Sequence, residues 1–296
     1  MKRLRDIAPI LVVVVGLAIM LYPTISNFLV ERNASRVVSG YEAAVDALSD
    51  EDAQAMIDAA RAYNAQLAGL SGVPASEGGA DASSVSAEQL QQEYDQLLNL
   101  NGDGMMGYIT IPRLDETMPL YHGTAESTLQ VGVGHIDTSS LPVGGASTHA
   151  ALSGHRGLPS AKLFTDLDKM EEGDVFYIKI LKTKLAYQVD QIETVLPDQT
   201  ESLAITAGDD YVTLVTCTPY GINSHRLLVR AHAIPYVPDM DAELGASGDP
   251  VNIPLPYLLL MIALGVLAVV LTAMKVREAR GEKEVARHGA GRHARR

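Results

Sequence analysis

Two long apolar stretches, one near each end, constrain this chain before anything between them does. Ile7 to Val30 is a run of 24 residues without a charged side chain, and Pro250 to Met274 is a second run of 25. About 20 predominantly apolar residues suffice for a helix to cross a bilayer, so each run is long enough. A buried core helix is the alternative for either run, and a cleaved signal peptide is a further alternative for the first. The first run is preceded by Lys2, Arg3 and Arg5, but no clean small-x-small cleavage site follows Leu21, which favours an uncleaved anchor. Lys275, Arg277, Arg280, Lys283, Arg287, Arg292, Arg295 and Arg296 follow the second run. Lys and Arg mark cytoplasmic flanks, so both termini read as cytoplasmic and residues 31–249 as lying outside a cell membrane crossed twice. The basic tail is then expected to rest on acidic lipid heads.

Charge separates the tails from what lies between them. The segment outside the tails holds 12 basic and 32 acidic residues, a net charge of about −20. Nucleic acid is thereby excluded as a partner, because its phosphates need a basic surface. One cysteine, Cys217, rules out an internal disulfide framework. In an oxidising compartment a lone thiol is either buried or put to use.

The outer segment begins helical. Residues 41–70 carry an apolar stripe at Met56, Ala60, Tyr63 and Leu67, and Ser49 with Asp52 forms a capping pair that restarts the helix. Residues 71–85, SGVPASEGGADASSV, read as a flexible loop. Ser86 with Gln89 then opens another helix, with Leu90, Tyr94, Leu97 and Leu98 behind it. After Gly104 the pattern shortens to strand-like runs near 107–113, 117–122, 148–154, 174–181, 184–195, 210–217 and 226–234. One or two helical turns fit at SAKLFTDLDKM. Many short strands with few helices indicate a mainly β sandwich or closed barrel.

Cys217 ends one of these runs, and Arg226 opens the next. A thiolate nucleophile needs an imidazole to exchange protons and a cation or donors where negative charge develops. Arg226 supplies a cation that never deprotonates. Six histidines lie outside the tails: His122, His135, His149, His155, His225 and His232. His155 stands at a strand end between glycines, whereas His225 adjoins Arg226, and neighbours on a strand point to opposite faces. This favours His155 without deciding for it. Burial of Cys217 as a core thiol remains the plainer alternative, and a zinc site lacks ligand spacing.

The stretch TLVTCTPYGINSHRLLVRA resembles the catalytic region of sortases, the membrane-bound cysteine transpeptidases of Gram-positive bacteria. MGYITIPRLDETMPLYHGT, VGVGHIDTSSLPVGG, THAALSGHRGLPSAKLFTDLDKMEEGD and AYQVDQIETVLPD resemble, in order, the class C or pilin-polymerising sortases. The resemblance is dense over roughly residues 104–236. It implies a mainly β fold, the eight-stranded sortase β-barrel, with an N-terminal helical arm and two flanking transmembrane helices. The expected organisation is a cytoplasmic start (1–6), a first span (7–30), the arm with its loop (31–103), the catalytic barrel (104–237), a linker (238–250), a second span (251–274) and a basic cytoplasmic tail (275–296).

The resemblance also implies roles. The family's cysteine maps onto Cys217, its Gly-His-Arg-Gly histidine onto His155 and its arginine onto Arg226. Cys217 would attack the Thr–Gly carbonyl of a Leu-Pro-x-Thr-Gly-like signal on a pilin subunit, and a lysine amine on another pilin would resolve the thioester. No metal or cofactor is implied; the partners are pilins and membrane lipid. Class C members usually carry a lid with an Asp-Pro-aromatic plug, but no Asp-Pro pair precedes Asp249 and loop 71–85 has no aromatic residue. Less autoinhibition than in relatives is therefore expected. A housekeeping sortase anchoring proteins to a cell-wall precursor and a non-enzymatic surface assembly protein are the competing readings.

Overall fold

Eight strands close into a barrel in the order β1-β2-β3-β4-β7-β8-β6-β5 in the computed structural model of the protein. They are β1 (Met105–Ile111), β2 (Glu116–His122), β3 (Val133–His135), β4 (Thr148–Ser153), β5 (Val175–Ile180), β6 (Thr183–Val195), β7 (Asp210–Thr218) and β8 (His225–Ile234). The structure describes residues 2–72, 87–238 and 263–265. Closure leaves no sheet edge unpaired, so every strand has two neighbours. Alternation decides what points inward: Val212 and Leu214 of β7 and Leu227, Val229 and Ala231 of β8 enter the core with Ile109, Phe176 and Ile178.

Seven strands fall where the sequence pattern sets them, to within a few residues. The eighth, β3, is three residues long and pairs parallel with β2 and antiparallel with β4. SAKLFTDLDKM contains only a 3-10 turn, Leu167–Lys169.

Among the described residues up to 238 the helices are α1 (Lys2–Ala47), α2 (Asp50–Leu70), α3 (Ala87–Tyr94) and α4 (Glu126–Leu129). Ser49 separates the first two, and its side chain accepts from the Asp52 N–H at 3.0 Å. The buried face of α2 is Ala53, Ile57, Ala60, Tyr63, Asn64 and Ala68, so the expected stripe is rotated and Met56 and Leu67 lie at its margin. Asn64 lies within the rotated face. Its amide donates to the Leu141 carbonyl at 2.9 Å and accepts from the Leu141 N–H at 2.7 Å. The Tyr41 hydroxyl donates to the Met106 carbonyl at 2.7 Å and accepts from the Leu181 N–H at 2.8 Å, and burial pushes its pKa up to about 12. The arm therefore shares one core with the barrel, and Asn64 and Tyr41 find their hydrogen-bond partners there, whereas the buried Gln66 Oε1 has none.

The chain forms two compact units, residues 22–245 and residues 1–21 with 246–296. Among the described residues no helix is long and apolar enough to cross a membrane. The first apolar run lies within α1, where side chains are described only from Val15 onward. The second lies outside the described residues apart from 263–265, which are helical. Residues 73–86, most of the expected loop, also lie outside them.

Candidate active site

Register brings the three expected residues to one patch of the barrel's outer face. In the antiparallel β7–β8 ladder Cys217 pairs with Arg226, and Thr218 pairs with His225. Residues directly opposite share a face, so Arg226 stands beside the thiol and His225 points the other way. On the other side β4 runs parallel to β7, with Ser153 paired to Val215. The Gly154 N–H continues the ladder by donating to the Val215 carbonyl at 3.1 Å, and the Thr216 hydroxyl donates to the Gly154 carbonyl at 2.7 Å. Continued one step beyond this last ladder bond, the register would set His155 level with Cys217. The order across the face would then be His155, Cys217, Arg226. Ala151, Thr213, Val215 and Leu228 form a buried floor running away from the thiol on the same face.

Two glycines make this strand exit possible. A Cβ on Gly154 would come within 2.6 Å of the Phe164 ring. Gly157 has φ +81°, and a Cβ there would come within 2.9 Å of the Tyr220 ring. Cys217 is half-buried, so the thiol is neither sealed in the core nor loose on the surface. The plainer alternative of a core thiol is set aside by that placement.

The Arg226 guanidinium donates through one nitrogen to the carbonyls of Asn223 (3.3 Å) and His225 (3.1 Å). Among the described residues no carboxylate forms an ion pair with it. Arg230, four residues further along the same face of β8, is by contrast held by Asp190 at 3.0 Å. A guanidinium fixed by backbone carbonyls but not neutralised by an acid is suited to receive an external carbonyl or oxyanion.

Sequence reasoning missed two further residues. Arg156, with a side chain only 8% exposed, donates to the Thr218 hydroxyl at 3.0 Å and to the Thr165 carbonyl at 3.2 Å, and pairs with Asp168. It ties the loop after β4 to the strand end that carries Cys217. Its place in the Gly-His-Arg-Gly run was the available signal. Glu126, the first residue of α4, lies 3.3 Å from His155 Nε2. A hydrogen bond from Gln130, and then the charge of His155, hold its carboxyl below the usual range. Nothing in the local sequence pointed to it.

A family model described as the Sortase domain matches residues 109–234. The crystal structure of sortase C1 from Streptococcus agalactiae is 44% identical, with 68% of this chain and 100% of that one covered and a TM-score of 0.61. The chain belongs to the sortase family. Sortases are cysteine transpeptidases, and the structural relatives are of class C. Sortase C of Streptococcus pneumoniae is 40% identical over 68% of this chain and 97% of that one, with a TM-score of 0.57. Among curated proteins, sortase A of Bacillus anthracis is 27% identical over 149 residues, which is 50% of this chain and 68% of that protein. The eight-stranded barrel is therefore the sortase barrel, with its strand ends, turns and helical arm as described above.

Proposed function

We propose that this sortase is a membrane-anchored transpeptidase that joins pilin subunits through Cys217, His155 and Arg226. The observation that supports the reading is the direct β7–β8 pairing of Cys217 with Arg226, with β4, which leads into His155, running alongside β7. The Streptococcus pneumoniae relative is described with a pilin substrate specificity, which supports pilins as the donors here.

In the first half-reaction the Cys217 thiolate attacks the Thr carbonyl of a Leu-Pro-x-Thr-Gly-like signal. Negative charge gathers on the carbonyl oxygen, where Arg226 supplies hydrogen bonds from a cation. The C–N bond breaks, the Gly amine leaves with a proton from protonated His155, and a thioester to Cys217 remains. In the second half a lysine ε-amine of the next pilin attacks the thioester, and His155, now neutral, takes a proton from it. The C–S bond breaks and the thiolate is regenerated. A single imidazole placed beside the thiol can serve both halves, once as acid and once as base.

Two spans, at 7–30 and 251–274, would hold the catalytic unit on the outer side of the membrane with both termini inside. The charge-free length of both runs and their basic flanks support that topology. The test is to incubate the full-length chain in detergent with candidate pilins. A ladder resistant to sodium dodecyl sulfate is expected, and Cys217→Ala should give none. Transfer to a cell-wall precursor amine with no pilin ladder would favour the housekeeping activity instead.

A further inference from the structure

The second half-reaction sets a problem that Cys217, His155 and Arg226 do not solve. A lysine side chain has an ordinary pKa of about 10, so it reaches the thioester as an ammonium ion and cannot attack until it loses a proton. Arg226 on the far side of the thiol carries the same sign of charge and repels it. Something near His155 has to hold an ammonium close to a proton acceptor.

Glu126 meets that description. Its Oε2 stands 3.3 Å from His155 Nε2, and its Oε1 accepts from the Gln130 side chain at 3.1 Å. The carboxylate is 67% exposed, so an incoming cation can reach it without displacing any part of the barrel. Exposed ion pairs of this kind add little to stability, so stability alone does not account for a carboxylate at this spot.

The segment that presents Glu126 is fixed. The Gly123 N–H donates to the Tyr94 hydroxyl at 3.0 Å, and a Cβ on the neighbouring Gly134 would meet the Gly123 carbonyl at 2.3 Å. The Thr128 and Leu129 N–H groups close onto the Ala125 carbonyl at 2.9 and 3.0 Å. The carboxylate is therefore held against His155, which follows the strand that runs beside the one carrying Cys217.

We infer that Glu126 is the docking carboxylate for the acceptor ammonium in the transfer step. This rests on the roles proposed above for Cys217 and His155. The ammonium pairs with Glu126 and passes one N–H proton to neutral His155. The freed nitrogen lone pair forms the C–N bond at the thioester carbon, the C–S bond breaks with its electron pair going to Cys217 as thiolate, and the second nitrogen proton leaves to water. The products are the isopeptide, the thiolate and the imidazolium from which the next cycle starts. Arg226 and Glu126 thus divide the site by charge, the cation for the donor's carbonyl and the anion for the acceptor's amine.

Two amines that differ in charge test this on the full-length chain in detergent. A Leu-Pro-x-Thr-Gly peptide is the donor in every reaction. Nα-acetyl-lysine amide, a cation at neutral pH, is one acceptor, and hydroxylamine, uncharged at neutral pH, is the other. The readout is the kcat/KM for lysine product divided by that for hydroxylamine product. Glu126→Gln should lower this ratio at least about fivefold, mainly through a higher KM for the lysine acceptor, and Glu126→Asp should restore part of it. Added salt should lower the wild-type ratio, because it screens an exposed pair. An unchanged ratio in Glu126→Gln overturns the inference. So does an equal fall with both acceptors, which would mean that Glu126 acts on His155 and not on the amine. If the wild type gives no product with either acceptor, the transpeptidase roles of Cys217 and His155 fail first and the Glu126 assignment goes with them.

Discussion

Cys217 and Arg226 face each other across the β7–β8 ladder, nine positions apart in the chain and direct partners in the sheet. The hairpin between them makes this meeting local, so the thiol and its cation depend little on the rest of the fold. Lysine at 226 keeps the charge but loses the planar fork of donors. Arg226→Lys should slow transfer at least about tenfold, equivalent to roughly 1.4 kcal/mol of transition-state stabilisation. Steady-state kinetics with a sorting-signal peptide measure it, and unchanged kcat/KM would mean that charge alone suffices.

The two histidines nearest the thiol differ by face. His155 follows the β4 register that leads to Cys217, while His225 pairs with Thr218 and points away from it. His155→Ala should nearly eliminate turnover, and His225→Ala should leave most of it. Loss in His225→Ala with retention in His155→Ala would reverse the assignment of the proton carrier.

Arg156 joins the two loops of the site, and most of its guanidinium is out of water. Removing it strands the Thr165 carbonyl and the Thr218 hydroxyl, and leaves Asp168 without its pair. Loss of one partner from such a network costs about 2–4 kcal/mol. Arg156→Met should lower the urea midpoint accordingly and also reduce kcat, because His155 and Cys217 lose their tie. A stable variant with normal kcat would show that the bridge is dispensable.

Acid should weaken the fold through a buried imidazole. His135 is completely buried, with Nε2 2.8 Å from the Ser140 carbonyl and Nδ1 2.9 Å from the Tyr94 hydroxyl. Burial lowers its pKa from 6.5 to about 4. Between those values the unfolded chain binds a proton that the folded chain refuses, so stability is fully present above about pH 6.5 and is lost as pH falls toward 4. The full effect is on the order of 3 kcal/mol. His149, also lowered by burial, works in the same direction. Urea midpoints should fall between about pH 7 and pH 5, with a shallower fall in His135→Gln. A midpoint independent of pH would contradict the buried neutral ring.

The barrel was legible in the sequence where strands are long and alternate, as in β5 to β8. It was not legible at β3, because Val133–His135 is too short for a pattern and owes its conformation to β2 and β4. The Ser49 cap could be read because capping is local, while the buried face of α2 was misplaced; it includes Asn64, whose partner Leu141 lies seventy-seven residues away. The site divides in the same way. Cys217, Arg226 and the glycine-flanked His155 sit in recognisable runs, whereas Glu126 joins them only through tertiary structure. Arg156 was in plain view, but its role depends on Thr165, Asp168 and Thr218, which no spacing rule links to it.

Intact-mass analysis of the full-length chain mixed with a Leu-Pro-x-Thr-Gly peptide tests the Cys217 thioester most directly. The expected result is an adduct carrying the peptide up to its Thr, mapped to Cys217, released by an added amine and absent from a folded Cys217→Ala variant. An adduct on another residue, or product formation by Cys217→Ala at the wild-type rate, would contradict it.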